Sequence, residues 1–259
     1  MVVIILCAGF GTRMYPLTRT VPKALLPVAG RPALDYLMDQ ITELQQIHDL
    51  ILLSNGRFSG RFACWSRPWL PVLKKRGITF TLIDNGIHRD IDSRGAVKDL
   101  QFAIQKTGNV DHALIAASDN IFRFPLSPLW NQFLSGDDHR ILALRETNPE
   151  KLKTTGVLRL TADNRVVGLD EKPRQPASNR FCPPLYFLRA SAWNHLDAWI
   201  EKQESPDALG PFIDYLCRRE TVRAIPVTGS RMDIGSLDGY QEANQILRRF
   251  PVLDSLKNE

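Results

Sequence analysis

Gly9, Gly11, Arg13 and Lys23 lie in one loop, directly behind the apolar run Val2–Cys7. Glycines let backbone N–H groups approach phosphate oxygens closely, because no Cβ stands in the way. Arg13 supplies a permanent cation with planar donors. Lys23, between Pro22 and the apolar Leu25-Leu26 pair, supplies a second point charge. This set suits a polyphosphate. Two other glycine loops are excluded by spacing. A dinucleotide fingerprint, G-x-G-x-x-G, wants glycine at position 14, where Met14 stands, and its distal ribose acid would be Asp35, inside the following helix. A P-loop wants Gly-Lys-Ser/Thr, which does not occur here.

The elements that must position this loop follow from the apolar pattern. Val2–Cys7 is a β-branched run ended by glycine and reads as a central parallel strand. Leu34, Leu37, Met38, Ile41 and Leu44 recur at helical spacing, and Pro32 suits that helix's first turn. Leu50–Leu53, Ile78–Ile83, Ala113–Ala117 and Ile141–Leu144 read as further strands. The first three close at Ser54-Asn55-Gly56, Asp84-Asn85-Gly86 and Ser118-Asp119-Asn120. Helices are expected around Val97–Ile104, opened by Ser93-Arg94-Gly95, and near Ser127–Leu134. Alternating strands and helices predict an α/β fold, doubly wound, with a mostly parallel, Rossmann-like sheet. Ligands on such sheets sit beyond the carboxyl ends of the strands, which puts Gly9–Arg13, Asp84–Gly86 and Asp119 on one rim.

The second half reads differently. Gly156–Leu160 and Arg165–Asp170 flank Thr161-Ala162-Asp163-Asn164 as a hairpin. Leu185–Arg189 and Val222–Val227 read as strands, and Ser191–Lys202, Leu209–Arg219 and Gln241–Arg249 as helices. The stretch between Pro173 and Pro184 is the most loop-like and is expected to form a lid or an inter-lobe connection. Residues 1–259 read as a single domain with a smaller inserted subregion.

The chain has 259 residues, 44% hydrophobic and 24% charged, ordinary values for a soluble globular protein. Its net charge of +5 suits anionic ligands but is too small and dispersed to argue for nucleic acid. The aromatic and basic stretch 61–76 reads as an amphipathic helix pair rather than an RNA surface. Cys7, Cys64, Cys182 and Cys217 form no CxxC pair and no zinc spacing, so reduced thiols in a cytoplasmic protein are expected. The apolar N-terminus lacks a basic n-region, so a buried strand is expected rather than a signal peptide. No apolar run reaches the roughly 20 residues of a membrane helix. His48, His88, His112, His139 and His195 show no ligand spacing, and none is assigned to catalysis. The oligomeric state stays open, a homo-oligomer included.

Leu6–Arg13, followed by Pro16-Leu17-Thr18 and Pro22-Lys23, resembles the signature of the sugar-1-phosphate nucleotidyltransferases, the nucleotide-sugar pyrophosphorylases. Their pattern is roughly LAAGxGTRLxPLT, then PK, then PV.G.P, with Cys7 here replacing an alanine. Downstream, Glu171-Lys172-Pro173 resembles the family's EKP motif, and Asp233-Ile234-Gly235-Ser236 its DIGT motif. The resemblance spans Met1 to about Tyr240, and no hexapeptide-repeat acyltransferase domain is expected behind the last helix. It implies that Leu6, Ala8, Gly9, Gly11, Thr12, Arg13 and Gly95 bind nucleotide, Gly95 opening a helix where the backbone meets the base. It implies that Gly156, Glu171 and Lys172 form the acceptor-binding subregion, Lys172 taking the acceptor's phosphate. It implies Asp119 and Asp233 as ligands of Mg²⁺. Ser118 stands where the family carries glycine, which requires a negative φ there. Thr155 replaces a frequent aromatic, and Pro183-Pro184 a frequent glycine, so the sugar pocket is expected to differ in shape. The stretch 206–210 is expected to cap the following helix rather than cover the acceptor.

The implied reaction is attack of a phosphate monoester on the α-phosphorus of a nucleoside triphosphate, with pyrophosphate leaving. Such a monoester, with a second pKa of about 6, is already ionised at neutral pH and needs no general base. It needs suppression of anion–anion repulsion and in-line alignment. Arg13 and Lys23, with Lys172 on the attacking phosphate, are the catalytic residues this implies. Two alternatives stay open. One is a cytidylyltransferase for phosphocholine or another small phosphate or phosphonate, which an acidic or aromatic cage would favour. The other is a non-catalytic nucleotide-binding regulatory protein.

Overall fold

In the computed structural model, which describes residues 1–108, 110–202 and 208–250, Val2–Cys7 forms β1, an interior strand of a wide sheet. Both its faces are buried. Val3, Ile5 and Cys7 feed one core and Val2 and Ile4 the other, as the two-residue strand period requires. A short hairpin, Pro27–Val28 (β2) and Arg31–Pro32 (β3), leads into Ala33–Thr42 (α1), so Pro32 precedes that helix instead of lying in its first turn. Asp49–Ser54 (β4), Ser59–Ser66 (α2), Trp69–Lys75 (α3) and Thr79–Asp84 (β5) follow. The stretch 61–76 is thus a helix pair. The indole N–H groups of Trp65 and Trp69 both donate to Asp35 Oδ1, which gives Asp35 a structural task.

Next come Ala96–Thr107 (α4), His112–Ala117 (β6), Asn120–Phe122 (β7), Ser127–Leu134 (α5), His139–Arg145 (β8) and the single turn Pro149–Leu152 (α6). The second half supplies Gly156–Leu160 (β9), Val166–Glu171 (β10), Arg180–Cys182 (β11), Leu185–Arg189 (β12), Ser191–Ile200 (α7), Leu209–Cys217 (α8), Val222–Pro226 (β13), Arg231–Asp233 (β14) and Leu237–Arg249 (α9). The last helix therefore starts at Leu237, earlier than the apolar spacing indicated, because the Ser236 hydroxyl accepts the Gly239 N–H and caps it.

The sheet order is β10-β9-β11-β8-β12-β6-β1-β4-β5, with β13 pairing in parallel with β8. β1, β4, β5 and β6 are mutually parallel, whereas β12 runs antiparallel to both β6 and β8. Of the second-half strands, β9 to β13 extend the same sheet, whereas β14 pairs with β7 in a separate two-stranded sheet. β11 corrects the reading of 173–184 as a plain loop: its Phe181 pairs with both Leu144 and Val157, closing the sheet between β8 and β9. α1 and α5 pack on one face and α4, α7 and α8 on the other. A small third cluster, including Val28, Ile121, Met232, Ile234 and Ala243, seats β7 and β14 against α9. Among the described residues no helix is long and apolar enough to cross a membrane.

His139 opens β8 on the rim opposite the loop. Its Nδ1 accepts the Arg189 N–H at 3.1 Å, so Nε2 carries the proton given to Glu220 Oε2 at 2.8 Å. Ser191 Oγ and His195 Nε2 also meet the Glu220 carboxylate, at 2.5 and 2.7 Å. Burial holds His139 below its ordinary value, with Glu220 opposing only in part. The unfolded chain takes up that proton near pH 6.5, the folded chain only at lower pH. Stability is therefore lost as pH falls below about 6.5. The melting temperature is expected to drop between pH 7.5 and 5.5, and to drop less in His139→Gln. Equal drops in scanning fluorimetry would clear His139 of this role.

Candidate functional site

One row of the sheet lays out the site. Leu6 pairs with Ala117, whose N–H donates to Pro184 O at 2.9 Å. Farther along, Cys182 pairs with Gly156, and Gly156 with Glu171. The register thus carries the chain from the phosphate loop to the Glu171-Lys172 turn along the mouth of a cleft of about 940 Å³.

The loop at the β1 end is held from below. Gly11 has φ 66°, and Thr18 packs against it while donating its hydroxyl to Gly11 O at 2.7 Å. Asn55 Nδ2 donates to Ala8 O at 2.9 Å, tying the end of β4 to the loop. Gly9 is exposed, with open space where a Cβ would stand. Leu6, Ala8, Gly9, Arg13 and Lys23 line the cleft, as does Gly95, the residue before α4 with φ 80°. Gly11 and Thr12 shape the loop without lining the cleft. Asp99, one turn into α4, also lines it and was not anticipated. Burial raises this carboxyl, while Asn85 Nδ2, at 2.9 Å, and Arg94 pull it down.

Asp119 and Asp233 lie far apart in sequence, and the antiparallel pair β7–β14 brings them together by matching Asn120 with Asp233. The Ile234 N–H donates to Asp119 O at 3.0 Å, locking the crossing. A Cβ built on Gly235 would lie 2.8 Å from Asp233 Oδ1 and 3.5 Å from Asp119 Oδ2, so one oxygen of each carboxylate lies beside Gly235. Lys23 Nζ sits 2.5 Å from Asp119 Oδ2. Burial pushes Asp119 up, but the Lys23 ammonium, its hydrogen bond and the Arg231 guanidinium hold the carboxyl below the usual range. Ser118 does not adopt a positive φ, as expected of a serine in the glycine's place. Burial pushes the Cys7 thiol up to about 12, so it packs as a neutral group.

At the far end, Lys172 holds a left-handed φ of 46°, an uncommon conformation for a non-glycine residue, and its N–H donates to Thr155 O at 3.0 Å. Glu171 makes no hydrogen bond to the described residues, and its side chain is 30% exposed. Burial raises its carboxyl and Lys172 offsets part of that. The carboxylate threads between Gly156 and Gly210: a Cβ on Gly210 would come within 2.3 Å of Glu171 Oε2. Gly210 belongs to the stretch 206–210, of which 206 and 207 lie outside the described residues. Gly210→Ala is expected to swing Glu171 out at little cost in melting temperature while raising acceptor KM several-fold. An unchanged acceptor KM would separate Glu171 from the acceptor.

Arg231 and Asn120 are further site residues that the motifs did not supply. The strand period offers the one signal for Arg231: two residues before Asp233, it shares that residue's face of β14.

A glycine-bearing loop after the first strand and a carboxylate pair beside it, on the rim of a mixed α/β sheet, define a Rossmann-like protein with a polar cleft at its strand ends. The chain belongs to the nucleotidyl transferase family, whose model matches residues 2–249. It is 26% identical to the bifunctional protein GlmU of Methanocaldococcus jannaschii over 94% of this chain and 53% of that protein. The chain thus spans about half the length of that relative. Over 98% of this chain and 84% of the relative it is 26% identical to a glucose-1-phosphate thymidylyltransferase of Mycolicibacterium smegmatis. An apo UDP-glucose pyrophosphorylase superposes with TM-score 0.80 at 17% identity, covering 96% of this chain and 98% of that one. A UTP-bound UGPase from Acinetobacter baumannii superposes with TM-score 0.75 at 18% identity, covering 97% and 95%. These likenesses establish the fold.

Proposed function

We propose that this chain transfers a nucleoside monophosphate from a nucleoside triphosphate to a sugar 1-phosphate, releasing pyrophosphate and forming a nucleoside diphosphate sugar. The observation that carries the reading is the convergence of Asp119 Oδ2 and Asp233 Oδ1 on Gly235, with Lys23 on the same Asp119 oxygen. Two hard oxygen donors and no sulfur or imidazole suit Mg²⁺. Among the described residues no group of three or more His, Cys, Asp or Glu side chains could hold a metal alone, so phosphate oxygens and water would complete the shell. Asp119 and Asp233 would hold the ion, which supplies charge neutralisation at the α-phosphate.

The chain's own groups do the rest. Gly9 and the N–H groups behind it admit the triphosphate, and Arg13 and Lys23 neutralise it. Lys172 grips the attacking phosphate and Glu171 the acceptor's hydroxyls. The dianionic monoester forms the new O–P bond, the α–β bridge breaks, and pyrophosphate carries the electron pair away. No proton moves, which fits a cleft without a histidine. The relatives' names, a thymidylyltransferase of glucose 1-phosphate among them, weigh for a sugar 1-phosphate. The phosphocholine alternative calls for an aromatic cage. The aromatic rings lining the cleft are Phe181 and Tyr186, 7% and 4% exposed, and Arg231 already lies over Phe181. Unpaired Cys7, Cys64, Cys182 and Cys217 suit a cytoplasmic enzyme.

The test is pyrophosphate release with Mg²⁺, each nucleoside triphosphate against a panel of sugar 1-phosphates plus phosphocholine. Release that needs one triphosphate and one sugar 1-phosphate supports the reading. Release with phosphocholine alone replaces the acceptor, and silence with bound nucleotide turns the reading toward regulation.

A further inference from the structure

We propose that Arg231 is a positioning residue of the carboxylate pair: one nitrogen of its guanidinium fixes both side chains so that their remaining oxygens converge on the metal position beside Gly235. The inference rests on the metal reading above. Arg231 Nη1 donates to Asp233 Oδ2 at 2.9 Å and to Asn120 Oδ1 at 2.7 Å. Asn120 in turn donates its Nδ2 to Asp119 Oδ1 at 2.7 Å. Each carboxylate therefore has one oxygen tied, directly or through the amide, to the same cation. The other two oxygens, Asp119 Oδ2, which Lys23 Nζ meets, and Asp233 Oδ1, which accepts the Gly235 N–H, are the pair closest to Gly235.

The clamp is itself held. Arg231 is seated over the Phe181 ring, 5.2 Å from guanidinium to centroid, and its side chain is only 11% exposed. Asn120 is 3% exposed, so the relay to Asp119 runs through a group with little room to turn. Asp233, by contrast, has a 52% exposed side chain. Its remaining anchor is the Gly235 N–H, which donates to Oδ1 at 2.8 Å. Without Arg231, Asp233 would sample solvent rotamers and each would cost metal affinity. Groups that orient metal ligands through hydrogen bonds commonly change metal affinity about 10–100-fold when removed.

Coulomb's law and positioning predict opposite signs here, which makes the role testable. Taking away a cation beside a divalent ion tightens metal binding if charge alone matters. Taking away the clamp weakens it. Mn²⁺ alone, titrated into the full chain and followed by the electron paramagnetic resonance signal of the free ion, reads the difference without turnover. Arg231→Met is expected to weaken Mn²⁺ binding by about tenfold or more. Arg231→Lys is expected to recover part of the loss, because one ammonium can reach the same two oxygens. Asn120→Ala, which cuts only the Asp119 arm, is expected to weaken binding less and covers the case in which Arg231→Met does not fold. Unchanged or tighter Mn²⁺ binding in Arg231→Met, or in Asn120→Ala if that variant alone folds, overturns the positioning role. Asp119→Asn separates the two levels of the reading. If the wild type binds no Mn²⁺, or Asp119→Asn binds it equally well, the metal centre itself is wrong, whatever Arg231 does.

Discussion

Asp119→Ala is expected to lower turnover by at least about a thousandfold, which is about 4 kcal/mol of transition-state stabilisation. The side chain lines the cleft beside Asp233, and among the described residues no third acidic, His or Cys side chain joins the two as a metal-holding group. On the proposed reading its loss would remove one of the two carboxylates that hold the ion, and it leaves the Lys23 ammonium without its partner. The structural cost is smaller. The Asp119 backbone carbonyl still accepts the Ile234 N–H, so the β7–β14 crossing survives. What disappears is a hydrogen-bonded ion pair whose side chains are 20% and 23% exposed, worth about 1–2 kcal/mol. In a chain of this size that is a fall of about 2–4 °C in melting temperature per kcal/mol. Magnesium-dependent turnover within tenfold of wild type would refute the assignment, and a collapse of the melting transition would recast Asp119 as structural.

Lys23→Ala is expected to reduce kcat/KM for the triphosphate by about a hundredfold to a thousandfold, the effect of removing one preorganised donor from a site of developing charge. Lys23 stands in a 3-10 turn between the buried Pro22 and Ala24, so its stem is fixed and only its tip can travel. That tip is on Asp119 Oδ2, the oxygen turned toward Gly235. A metal ion there and Lys23 compete for one oxygen, and an arriving triphosphate offers the ammonium a new partner. The decisive readout is nucleotide affinity without metal. If Lys23 touches the triphosphate, that affinity falls in the variant. If it serves only to hold Asp119, Mn²⁺ binding changes and metal-free nucleotide binding does not.

Much of this site was legible in the chain. The glycines at 9 and 11, the two cations and the short motifs around Lys172 and Asp233 are local patterns, and local patterns survive being read in one dimension. The same holds for β12, β9 and α5, whose spans match those read from the chain. β11 was missed because three residues are too short for any period to show. The early start of α9 was missed because the cap at Ser236, not the apolar face, begins the helix.

What the sequence by itself determined is the glycine loop with its two cations, a pattern suited to an anion, and the layered α/β scaffold at whose strand ends that loop lies. Both follow from spacing between near neighbours. What only the tertiary structure decided is which distant residues meet. The pairing of Asn120 with Asp233 makes two aspartates one centre. The row through Cys182, Gly156 and Glu171 brings the Glu171-Lys172 turn to the same cleft as the loop. Arg231 reaches Asp233 directly and Asp119 through Asn120, which links the two carboxylates to one cation. No local preference encodes these contacts. They exist because strand register and the packing of β14 and α9 against β7 leave one arrangement that buries Ile121, Met232 and Ile234 together.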